Sequence, residues 1–314
     1  MRFRAATESD VEAIAATFDG RNALPLEPRV REALPLLLRQ LLSSPACTLS
    51  VFETSEPAGP RVFSVAGGLF VRDSVIEGYL AAPQPGLLST VLAGQLDGRP
   101  QLLTLDEIRR ANSGDGLVLA VLPIPFGRRD WNDPLLVELR QRAPQAFLRS
   151  IGGYRLRAIY YEVFTDEAAA YLQAGGYRLL HDFSARAGSG HLRPECRPYM
   201  LRLTSTDLPP GAMSLATQMF DPPRARLGLT TAEQRVVLRA LDGVPDQAIA
   251  DALGLSRETV RSNWRSIYRR LEAVLPDVAK TAGDGEGATR GTERRRAAIE
   301  YLRQNMHELR PWSR

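Results

Sequence analysis

The chain has 314 residues, 44% of them hydrophobic and 24% charged, a balance that suits a folded protein with two cores and excludes an intrinsically disordered one. The formal net charge of +4 is unevenly spread: residues 1–223 carry 23 basic and 24 acidic side chains, whereas residues 224–314 carry 17 and 12. Only two cysteines occur, Cys47 and Cys196, in no metal-ligand spacing, and Met1 to Ala16 mixes Arg2 and Arg4 with Glu8, Asp10 and Glu12; these features argue against a disulfide framework, a metal site, a secretory signal and a membrane span, and give the expectation of a cytoplasmic protein.

In chain order, Arg2 to Ala6 is extended, Asp10 to Phe18 and Pro28 to Leu42 are helical, and Thr48 to Glu53 and Arg61 to Val71 are extended. Helical stretches follow around Ser74 to Leu96. The apolar run Gly116 to Leu122 predicts a buried strand, ended by Pro123, Pro125 and Gly127. Two helical segments, Asp133 to Arg142 and Gln145 to Ile151, precede a strand from Arg155 to Phe164, a helix from Asp166 to Ala174 closed by Gly175-Gly176, and a strand from Tyr177 to Phe183. This alternation predicts an α/β domain over residues 1–183. The Gly, Ser, Arg and Pro content of Ser184 to Arg197, and the prolines of Asp207 to Arg226, predict a linker over residues 184–226.

The opening Met1 to Asp10, the segment Val121-x-Pro123 and the run Thr165-x-x-Ala168-x-x-Tyr171-Leu172-x-x-x-Gly176-Tyr177 resemble elements of the GNAT acyltransferase fold. The resemblance implies a mixed sheet with helices. It also implies that the loop presenting backbone amides to an acyl-coenzyme A pyrophosphate corresponds to Phe126-Gly127-Arg128-Arg129-Asp130-Trp131. Arg129 and Trp131 stand at the two positions where that loop uses small residues, and Leu172 stands where the family often has a general-acid tyrosine. The expectation is a domain that is not an enzyme, with no catalytic residue and no cofactor. Glu162, Tyr160 and Tyr161 are read as an alternating, half-exposed strand, and His181 and His191 have no partner in sequence.

Residues 227–314 predict an all-α domain. Thr230 followed by Glu233 is a capping box opening a helix whose apolar face is Val236, Val237, Ala240 and Leu241. After Gly243, Pro245 starts a short helix carrying Ile249 and Leu253; Gly254 ends it and Ser256 caps the next. In that third helix Val260, Trp264, Ile267 and Leu271 recur at helical spacing, with Arg257, Arg261, Arg265 and Arg269 on the other side. A short helix, a tight turn and a helix with a cationic face form the arrangement that seats a recognition helix in the major groove, and the C-terminal excess of positive charge suits a polyanionic partner.

Leu229 to Leu271 resembles the LuxR-type helix-turn-helix family without gaps, at Leu229, Thr230, Glu233, Gly243, Ile249-Ala250, Leu253, Ser256, Thr259, Val260, Ile267 and Leu271. The resemblance implies that Arg261, Ser262 and Arg265 project into the groove and that Ser256 and Thr259 lie near phosphates; Arg257 and Arg269 complete the candidate DNA-binding set. Asn263 replaces a common histidine, Trp264 is bulkier than the usual aliphatic residue, and the usual fourth helix does not follow directly. Thr292 to Leu309 is read as a displaced fourth helix, with Arg294-Arg295-Arg296 mostly in solvent.

The sequence therefore predicts a transcriptional regulator that binds double-stranded DNA as a homodimer, with a GNAT-like sensor or dimerisation domain taking a small-molecule or protein effector. The alternative is a working acyl-coenzyme A-dependent acyltransferase fused to a DNA-binding module. Acyl-coenzyme A binding discriminates the two.

Overall fold

A computed structural model describes residues 1–18, 24–56, 59–125, 130–208, 217–241, 243–276 and 288–310. The described residues divide into two units, one within residues 1–151 and 155–221, the other within 152–154 and 222–310. The fold class is mixed α/β followed by a helical region.

In the first unit β1 (Arg2–Ala5), β2 (Ser50–Glu56) and β3 (Gly59–Ala66) form an antiparallel sheet in that order. A five-stranded sheet follows, in the order β4 (Gly68–Phe70), β5 (Leu117–Val121), β6 (Leu156–Val163), β8 (Tyr199–Thr204) and β7 (Arg178–Asp182). Its β5 and β6 are parallel and its other pairs antiparallel. Gly67 alone separates β3 from β4. At φ +153° it holds a backbone that L side chains rarely adopt, and a Cβ there would lie 2.3 Å from the Thr48 carbonyl oxygen, so the chain changes sheets at a position only glycine tolerates.

The helices of this unit are α1 (Val11–Thr17), α2 (Pro28–Glu32), α3 (Leu34–Ser43), α4 (Asp73–Ala81), α5 (Leu87–Leu96), α6 (Leu105–Ser113), α7 (Pro134–Ile151), α8 (Asp166–Ala174) and α9 (Thr217–Phe220). The expected alternation is present, but the strand expected over Arg61 to Val71 is divided at Gly67 into β3 and β4, the helix expected over Pro28 to Leu42 is divided into α2 and α3, and there are four further differences. Helix α6 is additional to the expected elements, and its start is marked by the capping box Thr104 and Glu107. The two helical segments expected around Pro144 are one helix, α7. Pro144 has no N–H for the carbonyl of Arg140 one turn back, and the Tyr171 hydroxyl donates to that oxygen instead, at 3.2 Å.

The third difference is β8. The stretch 184–226, expected as a linker, contains this strand, which lies between β6 and β7 with Met200, Leu201 and Leu203 buried. The fourth is the exposure of β6. Apart from Arg157 it is buried on both faces, because it is a central strand, so the half-exposed alternation read from Tyr160, Tyr161 and Glu162 is not what the fold uses. Glu162 is 2% exposed, and its carboxylate accepts the backbone N–H groups of Gly86 at 2.6 Å and Leu87 at 3.0 Å, at the start of α5. Burial pushes its pKa up to about 7 against those two donors.

Candidate nucleic-acid interface

The second unit is built on α10 (Thr231–Leu241), α11 (Asp246–Leu253), α12 (Arg257–Val274) and α13 (Ala288–Gln304), with a 3-10 turn at Met306–Leu309. At the start of α10 the capping box is formed: Thr230 N–H donates to Glu233 at 2.6 Å and Glu233 N–H donates to the Thr230 hydroxyl at 3.2 Å. Glu233 is only 3% exposed and pairs with Arg270 of α12 at 3.3 Å. Burial opposes its charge, but the Ser266 hydroxyl, Thr230 and Arg270 together hold its pKa below the usual value. The cap thus also fixes α10 against α12.

Gly254 ends α11 in the left-handed conformation, φ +63°, which a side chain would strain. Two residues on, Ser256 caps α12: its hydroxyl accepts the Thr259 N–H at 3.0 Å and lies 2.8 Å from the Thr259 hydroxyl. That turn sets the direction in which α12 leaves α11. Val260, Trp264, Ile267 and Leu271 of α12 are buried in one core with Val236, Val237 and Ala240 of α10 and Ile249 and Ala250 of α11. At 3.6 residues per turn the exposed Arg265, Arg269 and Ser262 fall on the opposite side of the helix and the exposed Arg261 on its flank, about 90° from the centre of the packed face.

The structure thus brings Arg261, Ser262, Arg265 and Arg269 onto one solvent-facing surface, with Ser256 and Thr259 exposed at its N-terminal end. Arg257, also exposed, lies at the edge of this surface, about 40° beyond Arg261. It is rotated by about 80° from Arg265 and lines a cleft of about 400 Å³ with Gly243, Pro245, Asp246 and Arg295. Asn263 is not directed at a partner outside its helix; its amide donates to the Thr259 carbonyl at 2.9 Å. Glu258, which is not among the residues expected from sequence, lies on the arginine face, 2.5 Å from Arg265 and 3.6 Å from Arg261.

The fourth helix is a core element. Ala298 and Leu302 of α13 and Leu309 beyond it are buried with α10, α11 and α12. Arg294 pairs with Glu272, and Arg295 pairs with Asp246 at 2.7 Å while its guanidinium lies 4.8 Å from the Trp264 ring centre. The expectation that this cluster faces solvent holds for Arg296 alone, because the other two find acidic partners on α12 and α11. The chain is closed behind α13 by Glu308, fully buried, which accepts from the backbone of Arg226 at 2.9 Å and of Leu227 at 2.9 Å.

In the first unit, residues 126–129 of the candidate phosphate loop lie outside the described residues. Trp131 is half-buried, with the Arg140 guanidinium 4.1 Å from its ring centre and Tyr171 edge-on at 6.0 Å. Leu172 is half-buried. Among the described residues, no group of three His, Cys, Asp or Glu side chains is placed to hold a metal, and no helix is long and apolar enough to cross a membrane.

No curated protein matches the sequence. Solved structures similar to it include smu.2055 from Streptococcus mutans UA159 (10% identity, 65% of this chain and 99% of that one, TM-score 0.38), an acetyltransferase of the GNAT family from Streptococcus pneumoniae (15%, 65% and 98%, TM-score 0.36), and a polyamine N-acetyltransferase from Drosophila melanogaster (16%, 65% and 99%, TM-score 0.35). Residues 230–275, which span α10, α11 and α12, match the homeodomain-like domain: this part of the chain is a helix-turn-helix domain.

Proposed function

We propose that the protein is a transcriptional regulator that binds duplex DNA through α12, using a helix-turn-helix of the LuxR type, and that the first unit is a GNAT-like domain controlling it without catalysing acyl transfer. The observation that carries the reading is the division of α12 into a face buried in the core, Val260, Trp264, Ile267 and Leu271, and an exposed face bearing Arg261, Arg265 and Arg269. Exposed arginines at this spacing serve both phosphate positioning and guanine recognition. One recognition helix reads only a few base pairs, so the regulator acts as a homodimer on paired half-sites, in the cytoplasm.

The GNAT-like reading of the first unit is supported by its mixed sheet, in which the parallel pair β5 and β6 is joined through the long α7. Two features speak for a sensor or dimerisation role in place of acyl transfer. The bulky Trp131, braced by Arg140 and Tyr171, stands where the phosphate loop needs close backbone approach. The hydroxyl of Tyr171, the tyrosine nearest the usual proton donor, is engaged with the carbonyl that Pro144 leaves free. A small molecule or another protein is the effector.

Selection of the full chain against randomised duplexes tests the DNA-binding part. The expected result is a paired site whose affinity falls steeply with salt, as counterion release requires. Titration with acetyl-coenzyme A and a thiol-release assay across amine acceptors test the rest; micromolar binding with turnover would restore the acyltransferase reading.

A further inference from the structure

Glu258 is an acid in the middle of the surface proposed to meet DNA, and this inference rests on that proposal. Its side chain is 63% exposed, between Arg261 at 52% and Arg265 at 66%. At 100° per residue the three project within an arc of about 60°. Glu258 belongs to the first turn of α12, where the helix dipole favours an acid. That role explains an acidic residue but not where the carboxylate goes. Ser256 already caps the helix, and the Glu258 carboxylate is instead met by arginines of the following two turns reaching back toward it, one oxygen 2.5 Å from Arg265 Nη2 and the other 3.6 Å from Arg261 Nη1.

A carboxylate on a face that approaches phosphates is repelled by them, and holding the guanidiniums of Arg261 and Arg265 offsets only part of that cost. A base edge that donates a hydrogen bond in the major groove offsets the rest. Cytosine presents such a donor, its N4 amino group, while thymine presents an acceptor and a methyl group at the same place. The paired guanidiniums match guanine O6 and N7.

We infer that Glu258 is a specificity-determining residue of the DNA-binding surface, whose carboxylate accepts the N4 amino group of a cytosine while orienting Arg261 and Arg265 toward neighbouring guanines. The composite of one acceptor between two donor forks reads a C flanked by G in each half-site. Without the carboxylate the same helix binds DNA more strongly and less selectively.

Wild-type full-length protein, Glu258→Ala and Glu258→Gln are each selected against randomised duplexes, and dissociation constants are then measured on the selected site and on its single-base variants. The expected wild-type site has a cytosine position at which thymine costs about fivefold or more. In Glu258→Ala that discrimination disappears while affinity for random duplex rises. In Glu258→Gln the preference at that position moves toward adenine, whose N6 and N7 a carboxamide matches as acceptor and donor. A wild-type site that Glu258→Ala selects unchanged would overturn the role of Glu258 and leave the DNA-binding reading standing. A wild-type protein that selects no site would overturn both.

Discussion

Helices α12 and α13 belong to the same unit and both are rich in arginine, yet they use it in opposite ways. In α12 Arg261, Arg265 and Arg269 recur at four-residue intervals away from the packed Val260, Trp264, Ile267 and Leu271, while Arg257 lines a cleft beside Asp246 and Arg270 pairs with Glu233. In α13 three of the arginines are consecutive, Arg294, Arg295 and Arg296, so these spread around the helix, and two of the three are drawn onto acids of the same unit, while Arg303 pairs with Glu300 of its own helix. The placement of the cations relative to the packing face, and not their number, separates an exposed cationic surface from a brace for the fold.

If α13 is a brace, its apolar contacts are where the largest effect lies. Leu302 is fully buried, and Leu302→Ala is expected to destabilise the helix-turn-helix unit by about 2–5 kcal/mol, measured by urea unfolding monitored at the tryptophans. A change below about 0.5 kcal/mol would mean that α13 is dispensable and the comparison misplaced. Next in size comes the contact surface itself: Arg265→Ala should weaken binding to a selected site by about 1–3 kcal/mol without lowering the melting temperature.

The arginine of the brace should show the reverse pattern. Arg295→Ala removes the partner of Asp246 and the cation over Trp264, so a loss of about 1 kcal/mol in stability is expected, with affinity for DNA preserved once the unit is folded. Smallest of all, Arg296→Ala should stay within about 0.5 kcal/mol in stability, since this side chain is exposed and holds no place in the core. A clear loss of DNA affinity in Arg295→Ala or Arg296→Ala would move α13 from the brace to the binding surface.

The two helices also show where sequence is legible. The elements of α10, α11 and α12 follow from local signals, the capping residues Thr230 and Ser256, the breakers Gly243 and Gly254, and a strict apolar period, all within a few residues of what they determine. The fate of Arg294 and Arg295 depends on Glu272 and Asp246, 22 and 49 positions away, and nothing in a local window announces such partners.

The α/β unit repeats the lesson. The buried strand β5 is readable from its unbroken apolar run, Leu117 to Val121. Strand β8 is hidden among Pro194, Pro198 and the glycines before it, and becomes a strand because β6 and β7 supply its hydrogen bonds on both sides. Glu162 was legible as a residue of a strand, but its burial depends on the amides of Gly86 and Leu87, 76 and 75 positions away. Glu258 was missed for a different reason: alternating signs on a helix face look like an ordinary solvated surface until the geometry shows which cations the acid holds.

The central claim is that the α12 face, and not the arginines of α13, meets DNA. The direct measurement compares the wild-type protein, the Arg261→Ala/Arg265→Ala double variant and the Arg294→Ala/Arg295→Ala double variant on one selected duplex at one salt concentration, each confirmed as folded by circular dichroism. The account predicts that the first double variant loses at least about tenfold in affinity, as the removal of base-edge contacts requires, and that the second keeps wild-type affinity. Equal binding by the wild type and the Arg261→Ala/Arg265→Ala variant would contradict it.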